Sequence, residues 1–177
     1  MKEQYTLTVY TEDQIGLINK ITIMFFRKKI NLNSLNISSC EIDNMYRFTI
    51  VVSETFEIVK NLTFQIEKII EVYKCYYSRD SEIITTLAAL FKLPTDRIMN
   101  DDVINQILRK YGANLISIEK DYTIIDLTGQ ESEVDELTSE LVPYGLIEFI
   151  KSSRIALIRS GKGFKKELLE METISHA

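Results

Sequence analysis

Between Tyr5 and Leu35 the hydrophobic period of the chain switches from two residues to about 3.6, and a new extended segment then opens at Asn31. In Tyr5-Thr-Leu-Thr-Val-Tyr10, Tyr5, Leu7 and Val9 alternate with Thr6, Thr8 and Tyr10, which predicts a strand with two distinct faces. Thr11-Glu-Asp-Gln-Ile-Gly16 interrupts that alternation. From Leu17 onward, Leu17, Ile18, Ile21, Met24 and Phe25 recur at helical spacing and predict a core-facing stripe. A helix starting there leaves backbone N–H groups unpaired at the positive end of its dipole. A small carboxylate suits such a place, and Gly16 lets backbone come close to it. The same residues also fit an ordinary strand-to-helix turn in which Gly16 only relieves strain.

The pattern continues as a module and then repeats. Residues 35–42 and 45–53 alternate as two strands joined at the turn-forming pair Asp43-Asn44. A helix is predicted from Thr55 to Ile70, with Phe56, Val59, Thr63, Ile66 and Ile70 on one face, followed by a strand from Glu71 to Ser78. The second copy has strands at 83–91, 114–119, 122–128 and 145–150, helices at 101–111 and 131–142, a linker Leu93-Pro-Thr-Asp96 and an added strand at 154–159. A sequence echo supports the repeat: Arg27-Lys-Lys-Ile-Asn-Leu32 parallels Arg109-Lys-Tyr-Gly-Ala-Asn-Leu115, each with a basic pair in the last helical turn. The expected class is α+β, with two ferredoxin-like βαββαβ modules at 3–79 and 82–160 and a short, charged, frayed tail at 161–177.

Modules of roughly 75 residues hold only marginal cores by themselves. Ile23 and Phe26 point away from the predicted core stripe of the first helix. They fit either scattered surface apolars or a contact with a second chain.

Charge and residue types narrow the function. A net charge of −5 over 177 residues argues against a nucleic-acid binder, which needs a basic stripe. The βαββαβ order is shared with RNA-recognition modules, but Tyr46-Arg-Phe48 is only a faint echo of their stacking aromatics. No apolar run is long enough to span a membrane, and Met1-Lys-Glu-Gln-Tyr-Thr has no signal-peptide pattern, so a cytoplasmic protein is expected. Cys40 and Cys75 fall on predicted strands at a spacing that suits neither a metal site nor a redox pair, so buried reduced thiols are expected. The one histidine, His176, reads as a solvated tail group. No nucleophile elbow, P-loop, dinucleotide or zinc-protease motif is present, and no catalytic or metal-ligating residue is expected. Glu12, Asp13, Glu131, Glu133 and Asp101-Asp102 all stand at turns or helix starts, where capping explains them.

The span Glu12-Asp-Gln-Ile-Gly-Leu-Ile-Asn-Lys-Ile-Thr-Ile-Met-Phe-Phe-Arg-Lys-Lys-Ile-Asn-Leu-Asn-Ser-Leu35 resembles the opening of an ACT domain, a small-molecule sensing module. Within that family it is most similar to the regulatory subunits of acetolactate synthase, with Gly16, Phe25, Asn31, Ser34 and Leu35 in register with their pattern. Tyr122-Thr-Ile-Ile-Asp-Leu-Thr-Gly129 and Gly145-Leu-Ile-Glu-Phe-Ile-Lys-Ser-Ser-Arg-Ile-Ala156 resemble the C-terminal domain of the same subunits.

That resemblance implies a homodimer through the ACT domains, with a branched-chain amino acid, valine in most relatives, held between two chains. Asp13, Gln14, Ile15, Gly16 and Leu17 would receive the effector at the helix start, and Asn31 would come from the partner chain. Ile23 and Phe26 would meet the other chain. The resemblance also implies a large catalytic subunit carrying thiamine diphosphate, magnesium and FAD, with no cofactor in this chain. A free-standing tandem ACT sensor acting on another enzyme or a transcription factor is the alternative. Two positions depart from the pattern: Asp13 stands where relatives have Asn, and Lys29 where many have Gly.

Overall fold

The computed structural model describes residues 1–175, so His176 lies outside the described residues. The chain divides into two compact units, residues 1–84 together with the described residues from Ala156 onward, and residues 85–155.

The first unit opens as β1 (Glu3–Glu12), α1 (Leu17–Arg27), β2 (Leu32–Ser39), β3 (Met45–Glu54), α2 (Phe56–Ile66) and β4 (Val72–Ser78), the expected βαββαβ order. Its antiparallel sheet has the strand order β2-β3-β1-β4. Val9 stands opposite Phe48 of β3 and Cys75 of β4, so one alternating row crosses the sheet. That row, with Tyr5, Leu7, Ile50 and Val52, packs against Leu17, Ile21 and Phe25 of α1 and Val59, Leu62 and Ile66 of α2. Ile18 departs from expectation and is 40% exposed. The stripe centres on Leu17 and Ile21, which leaves Ile18 on its flank.

The end of α1 explains Lys29. The Lys29 N–H donates to the Phe26 carbonyl and the Ile30 N–H to the Phe25 carbonyl, with Lys29 in the left-handed region at φ 56°. This is the helix-closing motif that glycine normally serves. Buried Ile30 then seals the turn, and Asn31 directly precedes β2.

Several boundaries move from their expected places. β2 begins three residues earlier than its alternation suggested, because its register against β3 slips between Leu32 and Ser34. Cys40 therefore lies beyond the strand, half-buried, with its thiol facing the carbonyls of Ile42 and Met45 at 3.8 and 3.7 Å. Cys75 is buried on β4, and both cysteines are free thiols. α2 stops at Ile66, since the Ile69 and Val72 N–H groups close successive turns onto Ile66 and Ile69. Leu62 holds the core place expected of Phe56, which lies edge-on to Tyr77 at the surface.

The second unit is built from β5 (Ile83–Pro94), α3 (Thr95–Asn100), α4 (Asp102–Tyr111), β6 (Asn114–Ile118), β7 (Tyr122–Gly129), α5 (Glu131–Leu141) and β8 (Glu148–Lys151). Its sheet has the order β6-β7-β5-β8, and β9 (Ile155–Ile158) follows β8 along the chain. The segment read as a linker is ordered: Leu93 is buried, and Pro94 ends β5 opposite Tyr122. Thr95 Oγ1 donates to the Glu119 carbonyl at 2.7 Å, and α3 follows, anchored by buried Ile98. Proline signals a break because it lacks an N–H, but the last residue of a strand tolerates that loss.

Capping is as expected at Asp101 and Glu133, whereas α1 has no side-chain cap, so neither Glu12 nor Asp13 serves as one. Asp101 accepts the Val103 N–H at 2.9 Å, and Glu133 accepts the Gln130 N–H at 2.8 Å. Glu131 is different: it pairs with Arg154 at 2.6 Å and Lys151 at 3.2 Å, and the Arg154 hydrogen bond holds its carboxyl below the usual range.

The chain rejoins the first unit at Ala156, within β9, and runs through Ser160-Gly-Lys-Gly163 into α6 (Phe164–Ser175). The expectation of a frayed tail fails here. Phe164 is buried against Tyr10, on the sheet face opposite Val9, with Leu168, Ile42 and Tyr76 around it. The Tyr76 hydroxyl donates to Glu167.

Candidate effector site

Gly16 stands at the start of α1 with φ 85°. A Cβ placed there would meet nothing within 4 Å, so backbone conformation, not crowding, calls for glycine. The turn holds itself together with few bonds. Asp13 N–H donates to the Asn44 carbonyl at 3.0 Å, and Leu17 N–H donates to the Gln14 carbonyl at 3.3 Å. Asn19 and Lys20 N–H groups both reach the Gly16 carbonyl, at 3.0 and 3.3 Å. No acceptor among the described residues meets the N–H groups of Gln14, Ile15 or Gly16. Three donors are thus left open at the positive end of α1.

Beside this turn lies a cavity of about 160 Å³, lined by Glu12, Asp13, Gln14, Leu17, Ile18, Ile37, Tyr46 and Phe48. Its apolar wall comes from β2 and β3, where Ile37 and Phe48 are direct cross-strand partners. Its polar rim comes from the end of β1 and the turn. Glu12 is held in place by its N–H to the Glu71 carbonyl at 2.9 Å and by the Tyr73 hydroxyl at 3.4 Å. Lys20, on the first turns of α1, pairs with Glu71 and lowers that carboxyl's pKa, chiefly by hydrogen bonding.

The cavity is smaller than the ~300–1,000 Å³ of a complete small-molecule pocket. Of the expected effector residues, Asp13, Gln14 and Leu17 line it. Gly16 shapes the turn, and Ile15 projects fully into solvent. Asn31 does not line it and sits past the other end of α1, about 16 Å of helix away. Ile23 and Phe26 are 47% and 83% exposed. Ile18, Ile37, Tyr46 and Phe48 were not anticipated. Alternation marks Phe48 as inward-facing, but nothing local to the sequence brings β2 and β3 beside the turn.

The acidic residues of the described chain do not assemble with cysteines into any group of three or more suited to a metal ion. No helix among the described residues is long and apolar enough to cross a membrane.

Comparison with known proteins gives the two units a common context. A family model for the AHAS small subunit-like ACT domain matches residues 7–74, and one for the small subunit of acetolactate synthase matches residues 88–160. The chain is 28% identical to the acetolactate synthase small subunit of Mycobacterium bovis over 159 residues, 90% of this chain and 94% of that protein. It is 28% identical to the corresponding protein of Bacillus subtilis over 176 residues, 99% of each. The solved acetolactate synthase small subunit of Thermotoga maritima superposes with a TM-score of 0.80 at 20% identity, covering 90% of this chain and 99% of that one, a likeness of fold. With both modules matched in order and relatives matched almost end to end, the chain belongs to the family of acetolactate synthase small subunits.

Proposed function

We propose that this chain is the regulatory subunit of an acetolactate synthase, activating a thiamine diphosphate-dependent large subunit and making it sensitive to valine. The holoenzyme condenses two pyruvates to 2-acetolactate, or pyruvate with 2-oxobutyrate, and the cofactors belong to the catalytic subunit. The observation that carries the reading is the trio of open N–H groups at Gln14, Ile15 and Gly16 beside an apolar half-pocket. Backbone donors at a helix start suit the carboxylate of a free amino acid, and the wall of Ile18, Ile37 and Phe48 suits a branched side chain.

A second copy of the chain completes the pocket. Exposed Phe26 and Ile23 supply the contact, and Asn31 of the opposing protomer supplies a side-chain amide. Asp13 offers the effector's ammonium group a carboxylate. Valine then shifts the catalytic subunit only as far as it binds the inhibited arrangement more tightly, a coupling of ~1–3 kcal/mol.

The test is reconstitution with the large subunit of the same organism, with and without valine. The native chain is expected to raise activity and confer valine inhibition. Gly16→Asp, which puts a carboxylate where the effector's own would lie, is expected to keep activation and lose inhibition. Loss of both in a folded Gly16→Asp chain would refute the separation of the two roles. Failure of the native chain to form a complex would favour a free-standing sensor.

A further inference from the structure

A larger cavity, about 490 Å³, lies within the first unit on the sheet face that α6 covers. Its walls come from the sheet (Tyr10, Arg47 and Tyr76), from the end of β9 and the residues that follow it, and from Phe164 and Glu167 of α6. All of these belong to one chain and one unit.

Two features of its lining point to a ligand. Arg47 stands directly opposite Tyr10 across β1 and β3, and its guanidinium lies over the Tyr10 ring, 5.6 Å from the centroid. One amino group donates to the Ala156 carbonyl, but Nε is buried and has no hydrogen-bond partner among the described residues. Burying a cationic N–H without an acceptor is unfavourable, so the cavity is better completed by an anionic group at Arg47.

The carboxylates supply the second feature. Glu82 is committed to the Arg79 N–H at 2.8 Å, and Glu167 to the Tyr76 hydroxyl. Glu41, on the β2–β3 connection, makes no hydrogen bond or ion pair among the described residues, although it lines the same cavity. Its charge is felt there: burial raises the Tyr10 phenol pKa, Arg47 opposes, and Glu41 adds to the rise. A phosphate or simple carboxylate would meet three glutamates, and a simple cation would meet Arg47. A molecule carrying both charges answers both, and Tyr10, Phe164 and Leu157 offer its side chain an apolar seat.

We propose that this cavity is a second amino-acid site, complete within one protomer, in which Arg47 takes the α-carboxylate and Glu41 the α-ammonium group. It is independent of the turn at Gly16 and needs no second chain. Because α6 supplies Phe164 and Glu167, filling the cavity and docking α6 favour one another.

The experiment uses the full chain carrying Gly16→Asp, so that the first pocket is silent. Each of the twenty free L-amino acids is titrated by calorimetry at neutral pH, alongside trypsin cleavage at exposed Lys165 and Lys166. At least one amino acid with a large apolar or aromatic side chain is expected to bind once per chain and slow that cleavage several-fold. Arg47→Gln and Glu41→Gln are each expected to weaken binding by tenfold or more. The corresponding amine without the carboxylate, and the acid without the amine, should bind at least tenfold more weakly. Absence of binding by all twenty, or binding that survives both substitutions, would overturn the proposal. Should Arg47→Gln fail to fold, Glu41→Gln at its exposed position decides alone. Valine inhibition that persists in the Gly16→Asp holoenzyme would count against the first pocket only.

Discussion

The Phe164 ring lies flat against the Tyr10 ring, 3.9 Å between centroids and 14° between planes, although the two residues come from opposite ends of the chain. Both rings are buried, so the contact holds α6 to the first sheet. Phe164→Ala is expected to lower stability by about 3 kcal/mol through lost apolar burial and the cavity left behind. Phe164→Leu should cost under about 1.5 kcal/mol. Urea unfolding of the three proteins would measure both, and faster proteolysis confined to α6 would show that the helix detaches before the sheet melts.

Gly16 and Lys29 bracket α1 and share a left-handed backbone, which gives substitutions opposite in sign. Gly16→Ala meets no steric obstacle and should destabilise only through its backbone, by ~1–2 kcal/mol. Lys29→Gly removes the same strain where a lysine now bears it, and should stabilise by roughly 0.5–1 kcal/mol after the entropy of a more flexible unfolded chain is counted. Thermal melts would check the pair. Two shifts of the same sign would mean that side-chain contacts, not backbone conformation, govern these positions.

Cys75 predicts an alkaline weakness. Burial first, then nearby Glu67, pushes its thiol from 9.0 up to about 12. Between those values the unfolded chain has released a proton that the native chain keeps, so the native state binds more protons and stability falls as pH rises through the window. Chemical unfolding from pH 8 to 11 should show that fall, and Cys75→Ala should flatten it. A thiol reagent at pH 8 should modify half-buried Cys40 well before buried Cys75.

Phe26 is 83% exposed on α1, with Ile23 nearby at 47%. Phe26→Glu should leave stability within ~0.5 kcal/mol while disrupting any apolar contact made through that face. Sedimentation equilibrium is expected to show a dimer dissociation constant raised at least tenfold, or ~1.4 kcal/mol. An unchanged profile would exclude this face of α1 from the association.

Much of the first module was legible because its residues obey local rules. Tyr5, Leu7 and Val9 alternate inward, Leu17, Ile21 and Phe25 follow a helical stripe, and Asn44 adopts the left-handed turn that Asp43-Asn44 signals. What escaped depended on partners distant in sequence. The slip between Leu32 and Ser34 exists only against β3, and the apolar wall of Ile37 and Phe48 meets the Gly16 turn only once the sheet has formed. Pro94 advertised a break that Thr95, tied to Glu119, does not permit. The last helix was missed for a related reason. Its sequence is rich in charge and carries few anchors, and the value of Phe164 lies wholly in meeting Tyr10.

The first unit is assembled from two stretches of chain with the whole second unit between them, and α6 belongs to the later stretch. A nascent chain therefore emits its opening sheet long before the segment that shelters Tyr10, Ile42 and Tyr76 has left the ribosome. Throughout that interval β1 to β4 wait for the helix that finishes their second face, and the whole second unit is synthesised in between. A premature stop codon just past β9 would thus damage a region encoded far upstream of it, leaving bare the sheet face around Tyr10 and Tyr76.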